Sequence, residues 1–424
     1  MIKSIDHIPN YFDLVKDNKR LQFKNAIILI ALIFFDLFSI YHFFWSENVI
    51  LLVISILAIK FSILSSWFYF TAFYDKNAFK VDEYKKEYIG SFSKKELIDV
   101  ISSVFHEFKN QEIPTIYILR DKIESAFVID TYIFNYAKNV NAIYLPEYLF
   151  YILSADELKF IILHEVAHFK RYMLPLQRFV FPINFFAFLS PIYLYNYLHL
   201  YLFIPVYFLS AFLILSNYQN ILYEKTTTQE YLSDFFAGER VGVLNSINSL
   251  ISLSKYFEMI NYASKQMLLQ IKKQNKLSVK LHSVLLEKFI PISPYKLKSK
   301  EEVRESIERY LSLDTIKKYY RDMSDYEIKK EEKIIETMLI YNFLDDDVES
   351  VDWSQFDNHV RNKKIEKEEY EDFIEYLMNN RDKVLFREPN EDRYVMAVLD
   401  EFHPLLRDRI LFLHKNEKYM KKIG

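Results

Sequence analysis

The longest stretch without a charged side chain most constrains how this chain can fold. No Asp, Glu, Lys or Arg occurs from Phe179 to Tyr223. Two earlier apolar stretches contain one charged residue each: Asp36 lies between Asn25 and Trp45, and Lys60 lies between Val49 and Tyr74. A helix that crosses a bilayer needs about 20 mostly apolar residues. The two earlier stretches are therefore each predicted to cross a membrane once, and the third is long enough to cross it twice.

The alternative interpretation is that these stretches form core helices of a large soluble protein. Core helices seldom lack charge over such a length, because they still need a solvated face. A cleaved signal peptide is also disfavoured, since the first stretch lies deep in the sequence and has no small-residue cleavage site. We therefore expect an integral membrane protein with four transmembrane helices.

Basic residues flank the apolar stretches on one side only. They precede the first stretch, follow the second and precede the third, whereas the turn at 46–48 contains none. Positive charge accumulates on the cytoplasmic side of membrane proteins. The N-terminal segment, the middle segment and the C-terminal half are thus expected to face the cytoplasm, in a multi-pass protein of the cytoplasmic membrane. The basic residues are Lys3, Lys16, Lys19, Arg20, Lys24, Lys76, Lys80, Lys85, Lys86, Lys170, Arg171 and Arg178.

The two charges inside the predicted spans are costly in hydrocarbon and so need a partner or a function. At 1.5 Å per helical residue, Asp36 and Lys60 lie roughly 15 and 18 Å from the turn at 46–48. Similar depths would let them pair across the hairpin. We expect a structural ion pair, with a proton or ion path as the alternative.

Composition limits the chemistry that the rest of the chain can perform. The 54 Lys and Arg residues nearly balance the 57 Asp and Glu residues, which argues against a dedicated nucleic-acid-binding protein. No Cys occurs, so disulfides, thiol catalysis and thiolate metal sites are excluded. Any transition-metal site must therefore use His and carboxylate side chains.

A His-Glu-x-x-His motif is the sharpest chemical signal. Ser154 and Glu157 form a capping box that predicts the start of a helix, and this helix continues through His164, Glu165 and His168. Residues four apart on a helix project to the same side, so both imidazoles can reach one zinc ion at about 2.1 Å. Glu165 can accept a proton from the water at such a site and deliver it to the leaving amine. We predict that Glu165 is the catalytic base.

A catalytic zinc site needs a third protein ligand and one open position. Glu230 and Asp234 lie four residues apart downstream of the last predicted span. Glu230 would complete a site of two His and one carboxylate, and Asp234 would accept a hydrogen bond from a ligand imidazole and fix its tautomer. The alternative for this pair is a solvated helix face.

These motifs resemble those of the HtpX-type membrane zinc metallopeptidases and the related CAAX type 1 prenyl proteases. Residues 154–158 followed by the His164–His168 motif are similar to the family's active-site helix, and residues 230–234 to its third-ligand segment. The segment from His403 to Ile410 is similar to its C-terminal His-Pro…Arg-Ile signature. Two predicted spans before the His pair and two between it and Glu230 are also similar to the family's topology.

The resemblance implies a mainly α integral membrane protein with four transmembrane helices and a cytoplasmic zincin-like α+β metallopeptidase domain that carries a helical insertion. It implies one Zn²⁺ per chain, held by His164, His168 and Glu230. The implied activity is that of an endopeptidase, a hydrolase that cuts membrane or membrane-proximal proteins at the cytoplasmic face for protein quality control. Expected partners are protein or peptide substrates and the lipid bilayer, not nucleic acid.

The resemblance also implies that a strand before the active-site helix binds extended substrate through main-chain pairing. Ser125-Ala126-Phe127 stands where the family has Asn-Ala-Phe, and Gln229 stands where it often has Arg. Ser125 and Phe127 are thus candidate substrate contacts. His403 and Arg409 are candidates for stabilising a transition-state oxyanion or for supporting the ligands, with helix capping and packing as the alternative.

Two other functions stay open at this point. The protein can be a dedicated maturation protease that trims one peptide precursor, with its selectivity supplied by residues 256–394. It can also be a membrane sensor or scaffold that keeps the zinc site without turnover.

The predicted organisation has seven segments, within which we expect helices at 300–320 and 324–341 and a solvated loop at Asp345–Asp347. The segments are a cytoplasmic N-terminal segment (1–24), two transmembrane helices (25–74), the first part of the peptidase domain (75–178), two transmembrane helices (179–223), the third-ligand helix (224–255), a charged helical insertion (256–394) and the C-terminal signature segment (395–424).

Overall fold

The computed structural model of this protein is mainly helical, as the sequence predicts. The structure describes residues 8–45, 53, 56–57, 59–60, 78–84, 87–106, 115–119, 127–129, 142–172, 174–175, 185–186, 226–273, 300–310, 351, 353–356, 364–380, 404 and 406–423. His403 and Ser125 lie outside these residues, as do the predicted helix at 324–341 and the loop at 345–347.

Helix α1 (Tyr11–Phe44) contains the first predicted span. It is the one described helix that is long and apolar enough to cross a membrane. The helix begins fourteen residues before Asn25, where the span was predicted to start. Leu14 and Leu21 are buried in the protein, so the charged segment before the apolar stretch is also helical because one of its faces packs. The spans predicted within 49–74 and 179–223 lie almost wholly outside the described residues, and a four-span topology stays a prediction.

The predicted ion pair between Asp36 and Lys60 does not form. Asp36 is buried and its Oδ1 has no hydrogen-bond partner, whereas Lys60 is exposed. Similar depth in two helices does not determine which way each side chain points, and the expectation was based on depth alone.

A small mixed sheet precedes the predicted metal-binding helix. Its strand order is β1 (Ala78–Lys80), β4 (Thr115–Leu119), β6 (Ala142–Pro146) and β5 (Phe127–Ile129). Strands β4 and β6 are parallel, and the other two pairings are antiparallel. A separate hairpin joins β2 (Tyr88–Ile89) to β3 (Phe92–Ser93). The sequence predicts β-type runs at 114–119, 126–129 and 142–145, and β4, β5 and β6 confirm them to within one residue.

Eight further helices complete the described fold. Helices α4, α5, α6 and α9 pack around one hydrophobic core that also includes the side chains of β4 and β6. Gly242 ends α5 with a φ of 87°, and this left-handed conformation lets α6 start in a new direction. The helices are α2 (Lys94–His106), α3 (Leu149–Ile152), α4 (Ala155–Ala167), α5 (Thr226–Val241), α6 (Val243–Lys273), α7 (Lys300–Tyr310), α8 (Tyr370–Asn379) and α9 (Leu406–Ile423).

Part of the segment predicted as a charged insertion packs against α4 and α6. The side chain of Asn248 donates to the carbonyl of Ile365 at 3.0 Å and accepts from its N–H at 2.8 Å. Lys364 lies 3.4 Å from the buried carboxylate of Glu157. The described residues of this segment therefore belong to the core rather than to a separate domain.

Candidate metal centre

Helix α4 carries the His-Glu-x-x-His motif and begins with the predicted capping box. The backbone N–H of Ser154 donates to Glu157 Oε2 at 2.8 Å, and the Ser154 side chain accepts from the backbone of Glu157. From Leu158 to Ala167 nearly every residue is buried, so α4 lies in the core rather than on its surface. This burial places His164, which is 5% exposed, inside the protein.

The backbone of α4 widens directly after the motif. Residues His168–Tyr172 form a π-helical turn, a distortion that is frequent at functional sites. The Nε2 atoms of His164 and His168 lie 3.1 Å apart. The two imidazoles therefore present their Nε2 atoms to one common point.

Helix α5 packs against α4 and brings Glu230 to the same point. Glu230 Oε2 lies 3.2 Å from His164 Nε2, and Glu230 Oε1 lies 3.2 Å from His168 Nε2. One ligand atom from each of the three residues lies within 4.8 Å of the other two. The structure thus brings together the three residues that the sequence nominated, in a group that could hold a metal ion.

Asp234 and Arg409 lie behind His164. Asp234 Oδ1 is 2.9 Å from His164 Nδ1, the ring nitrogen that points away from the common point. Arg409 on α9 donates to both oxygens of Asp234, each at 2.7 Å, and its Nη1 lies 3.7 Å from Glu230 Oε2. All four side chains are at most 8% exposed. Arg409 therefore contacts Asp234 and Glu230, which is the position required for the supporting role among those that the sequence left open.

The charges of this cluster compensate one another in the absence of metal. Burial alone would lower the pKa of His164, but hydrogen bonds to Asp234 and Glu230 raise it to about 10. Burial alone would raise the pKa values of both carboxyls. The neighbouring imidazoles nevertheless hold the pKa of Glu230 well below its ordinary value, and Arg409 and His164 lower that of Asp234. Both carboxylates are therefore ionised at neutral pH.

Glu165 lies beside the ligands and differs from the other two carboxylates. Its pKa is raised, mainly because the side chain is buried, while the imidazoles of His164 and His168 act in the opposite direction. The charge of Glu230 raises it further. A carboxyl with a raised pKa accepts a proton more readily near neutral pH than an ordinary Glu does.

The other predicted substrate contacts are described only in part. Phe127 begins β5, an outer strand of the described four-stranded sheet, and pairs with Tyr144. The side chain of Phe127 is not among the described atoms, and Ser125 and His403 fall outside the described residues.

Sequence reasoning missed the π-helical turn and the salt bridge between Arg409 and Asp234. The signal for the second was a charge balance: two buried carboxylates, Glu230 and Asp234, need a buried cation beside them.

Comparison of the chain with protein-family models, curated proteins and solved structures finds no match in any of the three.

Proposed function

We propose that this protein is a membrane-embedded, zinc-dependent endopeptidase that cuts membrane or membrane-proximal proteins at the cytoplasmic face. The observation that carries the proposal is the convergence of His164, His168 and Glu230 on one point, with Glu165 next to it in the sequence. Three neutral or anionic N and O donors with a neighbouring carboxylate are the donor set of catalytic zinc sites in hydrolases.

The spacing of the donor atoms supports zinc as the metal. Zinc ligands lie about 2.0–2.1 Å from the ion in tetrahedral geometry, which separates neighbouring ligand atoms by about 3.4 Å. His164 Nε2 lies 3.1 Å from His168 Nε2 and 3.2 Å from Glu230 Oε2, and His168 Nε2 lies 3.2 Å from the other carboxylate oxygen, Glu230 Oε1. One donor atom from each residue lies within 4.8 Å of the other two, so a small movement of the Glu230 side chain would complete the site and leave one tetrahedral position for water or substrate.

Each neighbouring side chain has a role in the proposed reaction. When bound, zinc would polarise a peptide carbonyl and lower the pKa of a water molecule. Glu165 takes the proton of the attacking water as the C–O bond forms, and gives it to the amide nitrogen as the C–N bond breaks. Asp234 accepts a hydrogen bond from Nδ1–H of His164, which leaves the lone pair of Nε2 available to bind the metal. Arg409 holds Asp234 in place.

The position of strand β5 is evidence that the substrate is an extended peptide. It is an outer strand of the described sheet, and its residues pair with β6 on one side. It also contacts α4 and the π-helical turn that follows it. A peptide that adds to the outer edge of β5 would align its main chain alongside the metal centre.

The properties of helix α1 are evidence that the protein acts at a membrane surface. Its amino-terminal half packs against α5, which carries Glu230, while Ile30, Phe34 and Phe38 in the other half are exposed. Exposed apolar residues along a helix of this length favour contact with lipid. The metal centre would then lie close to the side of the bilayer where the basic residues occur, which is the cytoplasmic side.

Replacing Glu165 by Gln tests the proposal. In the full chain reconstituted in lipid nanodiscs, we expect cleavage of a membrane-anchored model substrate to fall by about 10²-fold or more. Zinc content, measured by mass spectrometry, should remain one ion per chain. The matched control is Asp156→Asn, an exposed acidic residue on the same helix.

Three outcomes separate the candidate functions. Cleavage that survives Glu165→Gln would refute the mechanism, and a zinc-loaded wild-type protein that cleaves nothing would favour the sensor or scaffold. Proteomics of membranes that contain the wild-type or the Glu165→Gln protein separates the other two. Many accumulating proteins would indicate quality control, and a single precursor would indicate a maturation protease.

A further inference from the structure

The buried face of α1 carries a line of polar side chains. Asn18, Asn25, Asp36 and Ser39 are 5%, 3%, 6% and 0% exposed. At 3.6 residues per turn, they project within about 60° of one another. Asn25 donates to the carbonyl of Leu21. Each of the four nevertheless presents a buried oxygen that has no hydrogen-bond partner among the residues that the structure describes: Oδ1 of Asn18, Asn25 and Asp36, and Oγ of Ser39.

Unpaired oxygens in this position are energetically unfavourable. A buried acceptor without a donor loses its hydration without compensation, and an unpaired carboxylate in an apolar environment loses much more. Lys60 does not neutralise Asp36, because its side chain is exposed. Asp36 and Ser39 are three residues apart, which makes them neighbours on the helix surface, with about 5–6 Å between their Cβ atoms. None of the described residues satisfies these two oxygens.

We propose that Asp36 and Ser39 bind one monovalent alkali cation, with Na⁺ as the expected ion, inside the first membrane span. Hard cations prefer oxygen ligands at about 2.3–2.6 Å, and Na⁺ is close to Ca²⁺ in size. An ion held at this distance from both side chains satisfies two oxygens that do not hydrogen-bond to each other. A proton on Asp36 would neutralise the carboxylate but would still leave Ser39 Oγ unpaired in the observed arrangement.

Charge selects a monovalent ion. Asp36 is the single charged residue from Asn25 to Phe44. One positive charge makes the site neutral, whereas a divalent ion would leave an excess charge in the apolar surroundings. Asn18 and Asn25 offer further oxygens on the same face towards the amino-terminal end of α1, which suggests that the ion enters from that end. The inference rests on the proposed membrane insertion of α1, but not on peptidase activity.

Direct binding of ²²Na⁺ to the full chain in nanodiscs tests the inference. We expect one ion per wild-type chain, with N-methyl-D-glucamine chloride replacing NaCl at constant ionic strength as the blank. Asp36→Asn should reduce binding at least tenfold, and Ser39→Ala should weaken it measurably. The matched control Asp17→Asn, an exposed acidic residue on the same helix, should bind like the wild type. Thermal unfolding of the wild type should move to higher temperature in NaCl than in the blank.

Several results would overturn the inference. They are the absence of ²²Na⁺ binding by the wild type, equal binding by Asp36→Asn, and a thermal stability that depends on pH but not on Na⁺. If Asp36→Asn loses its zinc, and hence its fold, Ser39→Ala and the wild-type comparison decide. Glu165→Gln should bind ²²Na⁺ normally. If the wild type binds ²²Na⁺ but does not cleave the substrate, the cation site is supported and the peptidase proposal is refuted. If it cleaves the substrate but does not bind ²²Na⁺, the cation site is refuted and the peptidase proposal is supported.

Discussion

Replacing Asp234 by Asn removes one negative charge from behind His164 in the candidate metal centre without a large change in shape. Asn can still accept a hydrogen bond from His164 Nδ1, but Arg409 loses the carboxylate that it contacts twice at 2.7 Å. The carboxylate of Glu230 also lies close to Arg409, with its Oε2 3.7 Å from Arg409 Nη1. In this variant Arg409 is therefore expected to attract Glu230 away from the metal.

The size of the effect follows from these contacts. Loss of a carboxylate that orients a ligand His weakens metal binding by about 10–100-fold, or about 1.4–2.7 kcal/mol. Competition by Arg409 for Glu230 places Asp234→Asn towards the upper end of that range. Arg409→Gln alone keeps the Asp234 carboxylate against His164, so we expect a loss of no more than about tenfold. In the double variant the guanidinium that competes for Glu230 is gone, and the zinc affinity should equal or exceed that of Asp234→Asn.

The assay is zinc competition against a chromophoric chelator, with the full chain in nanodiscs at one fixed pH. The four proteins of the double-mutant cycle are compared with Asp156→Asn, which should bind zinc like the wild type. We expect an interaction energy of about 1–3 kcal/mol between the two positions. Losses that simply add, or an Asp234→Asn protein that keeps wild-type affinity with an intact fold, would refute the proposed role of Arg409.

Two further predictions concern protons and packing. Because the pKa of metal-free His164 is raised to about 10, zinc must displace a proton from it, and the apparent Kd should improve about tenfold for each pH unit between pH 7 and 9. Chelator competition at three pH values measures this slope, and a flat profile would contradict it. Asn248→Ala leaves the buried N–H and C=O of Ile365 unpaired and should lower the free energy of unfolding by about 1–3 kcal/mol. Thermal unfolding and faster proteolysis near residues 364–380 would show the loss. The milder control is Asn245→Ala, which breaks a bond to the carbonyl of Val241 four residues earlier, across the junction of α5 and α6.

Local sequence signals predicted the elements that depend on local physics. The capping box of Ser154 and Glu157 located the start of α4, and β-branched and aromatic runs located β4, β5 and β6 to within one residue. Spacing on a helix also placed His164 and His168 on one face. In each case the deciding interactions join residues fewer than ten positions apart, so that pattern and propensity contain the required information.

Features set by tertiary packing could not be predicted in this way. Helix α1 begins at Tyr11 because Leu14 and Leu21 pack into the core, whereas the apolar pattern predicted a span only from Asn25 onwards. The spacing of these two Leu residues was visible, but the surface that buries them is not encoded nearby. The partner of Asp234 is 175 positions away on α9, and although the family resemblance nominated Arg409, no local pattern pairs it with Asp234. Depth arguments failed for Asp36 and Lys60 for the same reason.

Helix α9 links the metal centre to the candidate membrane helix. Arg409 and Asn416 are seven residues, about two turns, apart and so lie on one face of this helix. Arg409 holds Asp234 behind the ligands, while Asn416 accepts from the backbone N–H of Tyr11 at 3.0 Å and donates to the carbonyl of Pro9. Tyr11 in turn stacks on Phe235 of α5, with ring centroids 3.7 Å apart. Phe235 directly follows Asp234 in the sequence. A single helix face therefore fixes both the support of the ligands and the amino-terminal end of α1. Because these contacts close loops of hundreds of residues, the metal centre and the position of α1 should form together, once α9 has docked.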